Sequence, residues 1–413
     1  MQRFKLCPIF NGISDYSGYL QFISEVAIFS SLQDGLPFGY IDFNDTKGDL
    51  LAAFDGFQVG ASVDLKPISN DEEKEQGKEV NLIEDWVVLR VVTEDTQQTS
   101  HGACIVRVYI GHKMFLFKDQ KNHCYEEQEL DKLVSRILSD QTRGCSFSLA
   151  YTDKPDNGKH VRYKTNESDW EFLKNKIVSI ASYKKTPIYL YSDFYNKFYF
   201  KSIASMYSTK PKVGLYVHPV EEKDKEAYNE WQNGADFDTF EEMVSFDFDI
   251  GEKRAVSDTV RQFSVYDTEN SLAYHGIKEA IVKTADGSKL AKYKPFDMVF
   301  AHASAGGTTT IVIMNHSLDD SYNMLSSIQR YTDHVFNMSI RTRFCSPLCE
   351  IGSTVDIFIS KGHWANGIWI IHNVTITSQQ GGEVFTSVEL ARASFSGSKK
   401  DTTIKNIGIM YQC

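Results

Sequence analysis

The chain has 413 residues, which at about 150 residues per domain predicts two to four domains. Hydrophobic residues make up 42% and aromatic residues 13%, enough for several packed cores, so a globally disordered chain is excluded. Lysine and arginine number 44 against 55 aspartate and glutamate residues, and the net charge of −11 argues against tight sequence-independent binding to DNA phosphates.

The N-terminus carries no targeting signal that the sequence reveals. Its residues MQRFKLCPIFNGISDYSGYLQF contain no apolar run of signal-peptide length, and no stretch of the chain approaches 18 continuous apolar residues. We therefore expect a protein made in the host cytoplasm, without a membrane span. The 7 cysteines are scattered along the chain, which is typical of reduced, buried thiols.

The first third of the chain is predicted to form strands. Its apolar segments are short, rich in β-branched and aromatic residues, and bounded by Gly, Asp and Asn, which is the pattern of an all-β region. The predicted strands are 19–29, 40–43, 87–92, 103–110 and 114–117. The charged run 69–84 lies between them and predicts a solvated loop.

From about Tyr125 the pattern changes to that of a small mixed domain. Residues 129–138 place their apolar side chains on one helical stripe. A second helix is predicted to begin at Ser168, because Ser168 and Glu171 have the spacing of a capping box ahead of an apolar run. The aromatic segment 188–200 predicts a hairpin that closes this domain.

The second half of the chain returns to strands. An acidic stretch, 221–242, follows the strand predicted at 213–217, and one helix is predicted at 321–336 from its apolar spacing. The other predicted strands are 263–266, 277–283, 311–314, 355–359, 368–377 and 384–395. The turn 380–382 (Gln-Gly-Gly) predicts that the last two strands form an antiparallel hairpin.

One group of residues has the composition of a metal site. Cys345 and Cys349 have a spacing within the range of zinc ligands, with His334 before them and His363 after them. A structural zinc site normally has two tight ligand pairs, and the second pair is missing here. We therefore interpret both cysteines as core residues.

A second group has the composition of a serine nucleophile. His302 and Ser304 precede Gly306 and Gly307, which together could suggest a glycine-rich oxyanion loop. The sequence has no G-x-S-x-G elbow, and two glycines before a threonine run are typical of a hairpin turn. A hairpin is the interpretation we prefer.

A third group consists of paired carboxylates. Asp247 and Asp249 alternate with Phe246 and Phe248, which predicts a half-buried strand with a wet acidic face rather than an acid/base pair. The sequence also has no P-loop and no G-x-G-x-x-G. No catalytic, cofactor-binding or metal-binding residue is therefore assigned.

Several stretches, in this order, resemble the central baseplate hub protein of contractile phage tails, which has relatives in the hub portion of type VI secretion spikes. The resemblance covers most of the chain and depends on the order of its elements and on the general residue pattern within each stretch. The stretches are 19–45 (YLQFISEVAIFSSLQDGLPFGYIDFND), 54–65 (FDGFQVGASVDL), 168–182 (SDWEFLKNKIVSIAS), 324–360 (MLSSIQRYTDHVFNMSIRTRFCSPLCEIGSTVDIFIS) and 367–393 (GIWIIHNVTITSQQGGEVFTSVELARA).

The resemblance implies an α+β, mainly β fold, with two tube-like antiparallel β-barrel domains and smaller α+β domains inserted or appended. The segments 69–84 and 221–242 depart from the family pattern as additions. The implied domains are 1–124 (first β-barrel), 125–205 (small α+β domain), 206–255 with 337–395 (second β-barrel), 256–336 (inserted α+β domain) and 396–413 (C-terminal tail).

The resemblance also implies a structural virion protein without enzymatic activity or cofactor. We expect a homotrimeric ring in the tail baseplate that joins the tail tube to the central spike and forms a channel for DNA. The implied partners are further copies of the chain, the tail spike or needle protein, tail tube or tube-initiator proteins and surrounding baseplate proteins, with DNA only in transit and no membrane. Part of the acidic surplus is expected to line the channel so that DNA does not adhere.

Two other classes of function fit the same composition. A ligand- or carbohydrate-binding β-rich virion or surface protein would have exposed aromatic clusters beside a groove. A hydrolase would have a polar pocket with shifted pKa values.

Overall fold

The computed structural model describes residues 4–11, 20–45, 57–69, 81–95, 104–120, 122–141, 145–156, 158–183, 186–249, 336–379 and 383–392. Between 264 and 316 it describes six short strands. The predicted tail 396–413 and most of the charged run 69–84 lie outside the described residues.

The N-terminal third forms six strands, four of which overlap the strands predicted at 19–29, 40–43, 87–92 and 103–110. They are β1 (Phe4–Phe10), β2 (Ile23–Ser31), β3 (Phe38–Asp45), β4 (Ser62–Ser69), β5 (Ile83–Asp95) and β6 (Cys104–Gly111). All neighbours are antiparallel, in the spatial order β1-β4-β5-β6-β3-β2. A short 3-10 turn, Leu20–Phe22, precedes β2 where the sequence predicted a continuous strand.

The strand predicted at 114–117 is wrong. Lys113–Leu116 is a 3-10 helix, because the Nδ1 atom of His112 accepts a hydrogen bond of 3.0 Å from the backbone N–H of Met114. This side-chain cap satisfies a backbone donor that a strand would have paired with a neighbouring strand. The apolar residues of this segment therefore belong to a 3-10 helix, in which Met114 is buried.

A small α+β region follows. Its strands form a four-stranded sheet, β10-β11-β12-β8, and a two-stranded ribbon, β7-β9. The elements are β7 (His123–Glu129), α1 (Leu130–Leu138), β8 (Ser148–Thr152), β9 (Lys159–Lys164), α2 (Asp169–Phe172, continued by a π-helical turn, Leu173–Val178), β10 (Ser182–Tyr183), β11 (Thr186–Ser192), β12 (Lys197–Ser202) and α3 (Ile203–Ser208).

The local predictions for this region are confirmed. The five apolar residues of the α1 stripe are buried. At the start of α2, Ser168 Oγ accepts from the N–H of Glu171 at 3.2 Å, and the Glu171 carboxylate accepts from the N–H of Ser168 at 2.8 Å. The aromatic segment forms the antiparallel β11–β12 hairpin, with Tyr191 opposite Tyr199.

The acidic stretch 221–242 contains a helix that the sequence pattern did not predict. The elements here are β13 (Val213–Tyr216), α4 (Glu222–Asn233), β14 (Thr239–Glu242) and β15 (Ser245–Asp249). Tyr228 and Trp231 hold α4 against the sheet, since both rings contact Phe358. The helix links two parallel neighbours, β13 and β14, as a crossover connection requires.

Six short strands lie between 264 and 316, and the first, second and last of them overlap the strands predicted at 263–266, 277–283 and 311–314. They are β16 (Ser264–Asp267), β17 (Ile281–Lys283), β18 (Lys289–Lys292), β19 (Phe300–His302), β20 (Gly307–Thr309) and β21 (Val312–His316). They pair as β16-β21, β17-β18 and β19-β20.

The last described part consists of four strands. These are β22 (Phe336–Arg343), β23 (Thr354–Phe358), β24 (Gly367–Gln379) and β25 (Val384–Arg392). The predicted β24–β25 hairpin is confirmed, with Val374 opposite Val388. The helix predicted at 321–336 lies outside the described residues except for Phe336, which begins a strand because β22 pairs with both β15 and β25.

Strand β24 joins the two ends of the chain in one thirteen-stranded sheet. Along one edge, 367–370 pair with β23 and 373–379 pair with β2. The mainly β fold with large antiparallel sheets is therefore confirmed. Closure into two barrels and the domain boundaries stay predictions.

Two apolar cores stabilise this arrangement. The larger lies under the thirteen-stranded sheet and includes the fully buried rings of Trp86 and Trp369. The second fills the α+β region and takes in Leu36 and Met114 from the N-terminal third, so the two parts share buried apolar surface. Gly35, at φ +78°, permits this contact, because a side chain there would meet Trp170 and the carbonyl of Leu190.

Candidate assembly surface

One face of the thirteen-stranded sheet is not covered by either core, and we call it the open face. It continues across the join between the two ends of the chain, because Ser245, Arg341, Ser387, Thr375, Phe29 and Phe38 are successive partners across the strands. Alternate residues of each strand point to this face. Its side chains include Glu25, Phe29, Phe38, Tyr40, Asp42, Arg107, Tyr109, Asp247, Ser339, Arg341, Asn373, Thr375, Thr377, Phe385, Ser387 and Glu389.

The part of the open face on β2, β3 and β6 carries an aromatic cluster. The ring of Phe29 lies 5.3 Å from Phe38 and 6.1 Å from Tyr40, and Tyr40 lies 6.5 Å from Tyr109. Phe38 is 40% exposed. Large aromatic side chains that remain exposed on a sheet face are typical of protein–protein interfaces.

Arg107 is held beside this cluster by a carboxylate. Its Nε and Nη2 atoms each donate to a different oxygen of Asp42 at 2.7 Å, and its guanidinium lies 4.3 Å from the centroid of Tyr40. The hydrogen bond to Asp42 is the main cause of a raised pKa for Arg107. This part of the surface therefore combines an aromatic cluster with a paired Arg107 and Asp42, and Glu25 interacts with the Tyr40 hydroxyl.

The part of the open face on β15, β22, β25 and β24 is polar. A depression of about 280 Å³ here is lined by Asp247, Arg341, Asn373 and Glu389, among others. Arg341 lies 4.1 Å from the ring centroid of Phe385, and the Asn373 amide donates to the Glu389 carboxylate. Charges of both signs share this surface, so it can be solvated or can meet another polar surface.

The structure favours the core interpretation of the cysteine pair. Cys345 is 4% exposed within the larger core, and the Cys349 thiol lies 3.5 Å from the carbonyl oxygen of Cys345. Burial raises the pKa of Cys345 to about 12 and also raises that of Cys349, so both are neutral thiols at physiological pH. His363 is placed elsewhere, stacked on Phe248. His334 lies outside the described residues, within which no group of three or more metal-binding side chains occurs.

The hairpin interpretation of the second group is confirmed at its two ends. His302 ends β19 and faces Gly307, which begins β20, in an antiparallel ladder. The intervening Ser304 and Gly306 lie outside the described residues.

The carboxylate pair is confirmed only in part. Asp247 is exposed on the open face, whereas the side chain of Asp249 lies outside the described residues. Phe248 packs 4.7 Å from Trp364, as a half-buried strand requires. Phe246, also predicted to be buried, is 39% exposed, since β15 pairs with β22 alone among the described strands and the Phe246 ring lies beside Phe248.

Sequence reasoning did not single out the aromatic cluster or Arg107. The available signal was the alternation of Phe38, Tyr40 and Asp42 in one strand and of Arg107 and Tyr109 in another. Alternation alone does not say which face of a strand is covered, so the cluster could not be placed on an exposed surface.

No family model matches the sequence, and no curated protein matches it. The fold is similar to that of the 43 kDa tail protein of prophage MuSo2 from Shewanella oneidensis, with a TM-score of 0.57 at 11% identity over 95% of this chain and 99% of that one. It is also similar to a tail protein from Neisseria meningitidis, with a TM-score of 0.55 at 8% identity over 94% and 97%. The expected similarity to phage tail proteins is confirmed at the level of the fold.

Among the described residues, no helix has both the length and the apolar character to cross a membrane.

Proposed function

We propose that the chain is a structural hub protein of a contractile-tail baseplate, located in the virion and without catalytic activity. The observation that carries this proposal is the extent of the shared fold, which covers 95% of this chain and 99% of the MuSo2 tail protein.

The proposed assembly is a homotrimeric ring of two barrel-like units per chain, which joins the tail tube to the spike or needle protein. Other baseplate proteins surround it, and DNA passes through its channel. Such a ring needs heterologous contacts, in which two different surfaces of each copy meet. We assign the aromatic cluster of the open face to one of these surfaces, because its exposed rings gain the most from burial.

The mass in solution tests the trimer. Multi-angle light scattering of the purified chain at micromolar concentration is expected to give three times 47.0 kDa. Phe38→Asp places an unpaired charge in the proposed contact, and the trimer is expected to dissociate. Tyr163→Asp is the matched control, since Tyr163 is 63% exposed on β9, away from the open face, and its trimer is expected to persist. A wild-type monomer, both in solution and in assembled particles, contradicts the proposal.

The channel proposal concerns charge. Asp247, Glu389 and Glu25 on the open face are candidates for the channel wall, although Arg341 lies on the same surface. A channel for DNA should hold few unpaired cations, because each phosphate contact adds affinity that slows the strand. Once the trimer structure is determined, a net basic inner surface contradicts this part of the proposal.

A further inference from the structure

A cleft of about 410 Å³ lies between the α+β region and residues 346–353 of the last third. Strand β12 supplies one wall through Lys197, Tyr199 and Lys201, which share a face because they alternate along the strand. Glu350 and Gly352 belong to the opposite wall.

The floor of the cleft is aromatic and tightly packed. Tyr199 stacks on Tyr191 at 5.3 Å with an interplanar angle of 11°. Tyr191 is 3% exposed, and Gly352, at φ +71°, lies so close that a side chain at 352 would collide with the Tyr191 hydroxyl. The closely packed Tyr191 ring therefore holds Tyr199 of β12 in place at the floor of the cleft.

The carboxylates in the cleft already have partners. Asp193 accepts from the backbone N–H groups of Tyr195 and Lys197, each at 2.9 Å, and from the Tyr199 hydroxyl at 3.2 Å. Glu350 forms an ion pair with Lys212. Asp193 and Glu350 also attract the charges of Lys197 and Lys201, respectively, but only through space.

Two lysines of the cleft form no direct ion pair among the described residues. Within the described residues, no carboxylate lies within 4.0 Å of the ammonium of Lys197 or Lys201. Lys201 is half-buried, and its ammonium donates to the Thr209 hydroxyl at 2.9 Å. An ammonium has three N–H donors, so Lys201 retains donors for a ligand in a partly desolvated position where a charged acceptor binds most strongly.

We propose that this cleft binds an extended, acidic segment of a partner protein, whose carboxylates pair with Lys201 and Lys197. Residues four apart on a strand are separated by about 13 Å, so an extended segment with carboxylates four residues apart matches the two lysines across the ring of Tyr199. A nucleic-acid strand fits less well, because it carries a charge at every phosphate and some would lie beside Asp193 or Glu350. The site does not depend on the ring proposed above.

The test is calorimetric titration of the full chain with the octapeptide Thr-Thr-Glu-Thr-Thr-Thr-Glu-Thr, whose two glutamates are four residues apart, and with the same peptide carrying Gln in place of both Glu as the neutral probe. We expect saturable binding of one acidic peptide per chain, weakened by salt, and no saturable binding of the neutral peptide. Lys201→Gln is expected to weaken binding roughly tenfold or more, the loss of one charged hydrogen bond. Lys197→Gln tests the same site at an exposed residue whose substitution leaves the fold intact. Lys118→Gln, an exposed lysine that does not line the cleft, is expected to bind like the wild type.

Four outcomes overturn the proposal. They are equal affinity for the two peptides, unchanged affinity in both Lys201→Gln and Lys197→Gln, competition by inorganic phosphate at the same concentration as the peptide, and a change in oligomeric mass in Lys201→Gln. The third outcome identifies a small-anion site, and the fourth identifies a second copy of this chain as the occupant.

Discussion

Arg107 and Asp42 are 65 residues apart in the chain and meet on neighbouring strands, where two parallel hydrogen bonds of 2.7 Å join the guanidinium to the carboxylate. The Asp42 side chain is 8% exposed and that of Arg107 is 29% exposed. The pair therefore lies at the boundary between the sheet and solvent. The Arg107 guanidinium also covers the Tyr40 ring, so it orders part of the aromatic cluster.

Arg107→Lys is expected to lower the free energy of unfolding by about 1–3 kcal/mol, because an ammonium cannot form both bonds to Asp42 or stack on Tyr40 in the same way. Urea denaturation followed by far-UV circular dichroism measures this. Arg90→Lys is the control, since Arg90 is exposed on the neighbouring strand β5, and a change below about 0.5 kcal/mol is expected there. Equal losses in the two variants would show that the paired geometry contributes nothing.

His112 is expected to make stability depend on pH. Its ring is buried between Phe147 and Phe198, each 5.0 Å away, and burial lowers the pKa of His112 to about 3, with a smaller contribution from the Lys113 charge. The unfolded chain binds a proton at His112 below about pH 6.5, whereas the folded chain does not until about pH 3. The free energy of unfolding contributed by this group is therefore complete above pH 6.5. This contribution to the free energy of unfolding decreases as the pH falls from about 6.5 to about 3, by at most about 1.4 kcal/mol per pH unit.

The variant His112→Asn isolates this effect. Asparagine keeps an acceptor for the Met114 N–H and removes the titrating ring. Denaturation at pH 7, 6, 5 and 4 is expected to show a shallower loss of stability in the variant than in the wild type. Parallel pH profiles for the two proteins would contradict a neutral, buried His112.

Gly214 is expected to be required for the docking of α4. A Cβ atom at this position in β13 would lie 2.7 Å from the rings of both Trp231 and Phe237. Gly214→Ala should therefore push α4 away from the sheet and destabilise the chain by about 1–3 kcal/mol. Limited proteolysis, with cleavage sites mapped by mass spectrometry, is expected to show earlier cleavage within 222–233. Adding Trp231→Phe should restore part of the lost stability, because the smaller ring leaves room, and simple additivity would contradict the proposed contact.

The cysteine pair is expected to bind no metal and to react slowly. Raised pKa values keep Cys345 and Cys349 as thiols, and the thiolate is the form that binds zinc or attacks a reagent. Zinc measured by mass spectrometry should be at background in the wild type and in the double variant Cys345→Ser, Cys349→Ser. Cys124 is exposed and serves as the internal control, because a thiol reagent should modify it first in the native protein. Stoichiometric zinc that is lost in the double variant would make the core interpretation wrong.

The sequence determined the elements whose signals are local. The α1 stripe, the capping box of Ser168 and Glu171, and the hairpins β11–β12 and β24–β25 each depend on segments that are close together or adjacent in the sequence. Short strands and the mainly β class follow from the same local patterns. The resemblance to tail proteins depends on the order of these elements. It therefore allowed the fold to be predicted without a diagnostic residue motif.

The tertiary structure decided everything that depends on distant neighbours. Helix α4 has no buried apolar stripe, so its local sequence pattern did not predict it. Tyr228 and Trp231 hold it on a sheet formed from other parts of the chain. Phe336 fits a helical spacing yet begins β22, because Arg392 of β25 is its partner in an antiparallel ladder. The open face and the cleft beside β12 likewise arise only where segments far apart in sequence become neighbours. For the open face, the pairing of β24 with β2, β23 and β25 determines which side of each strand is buried and which stays exposed.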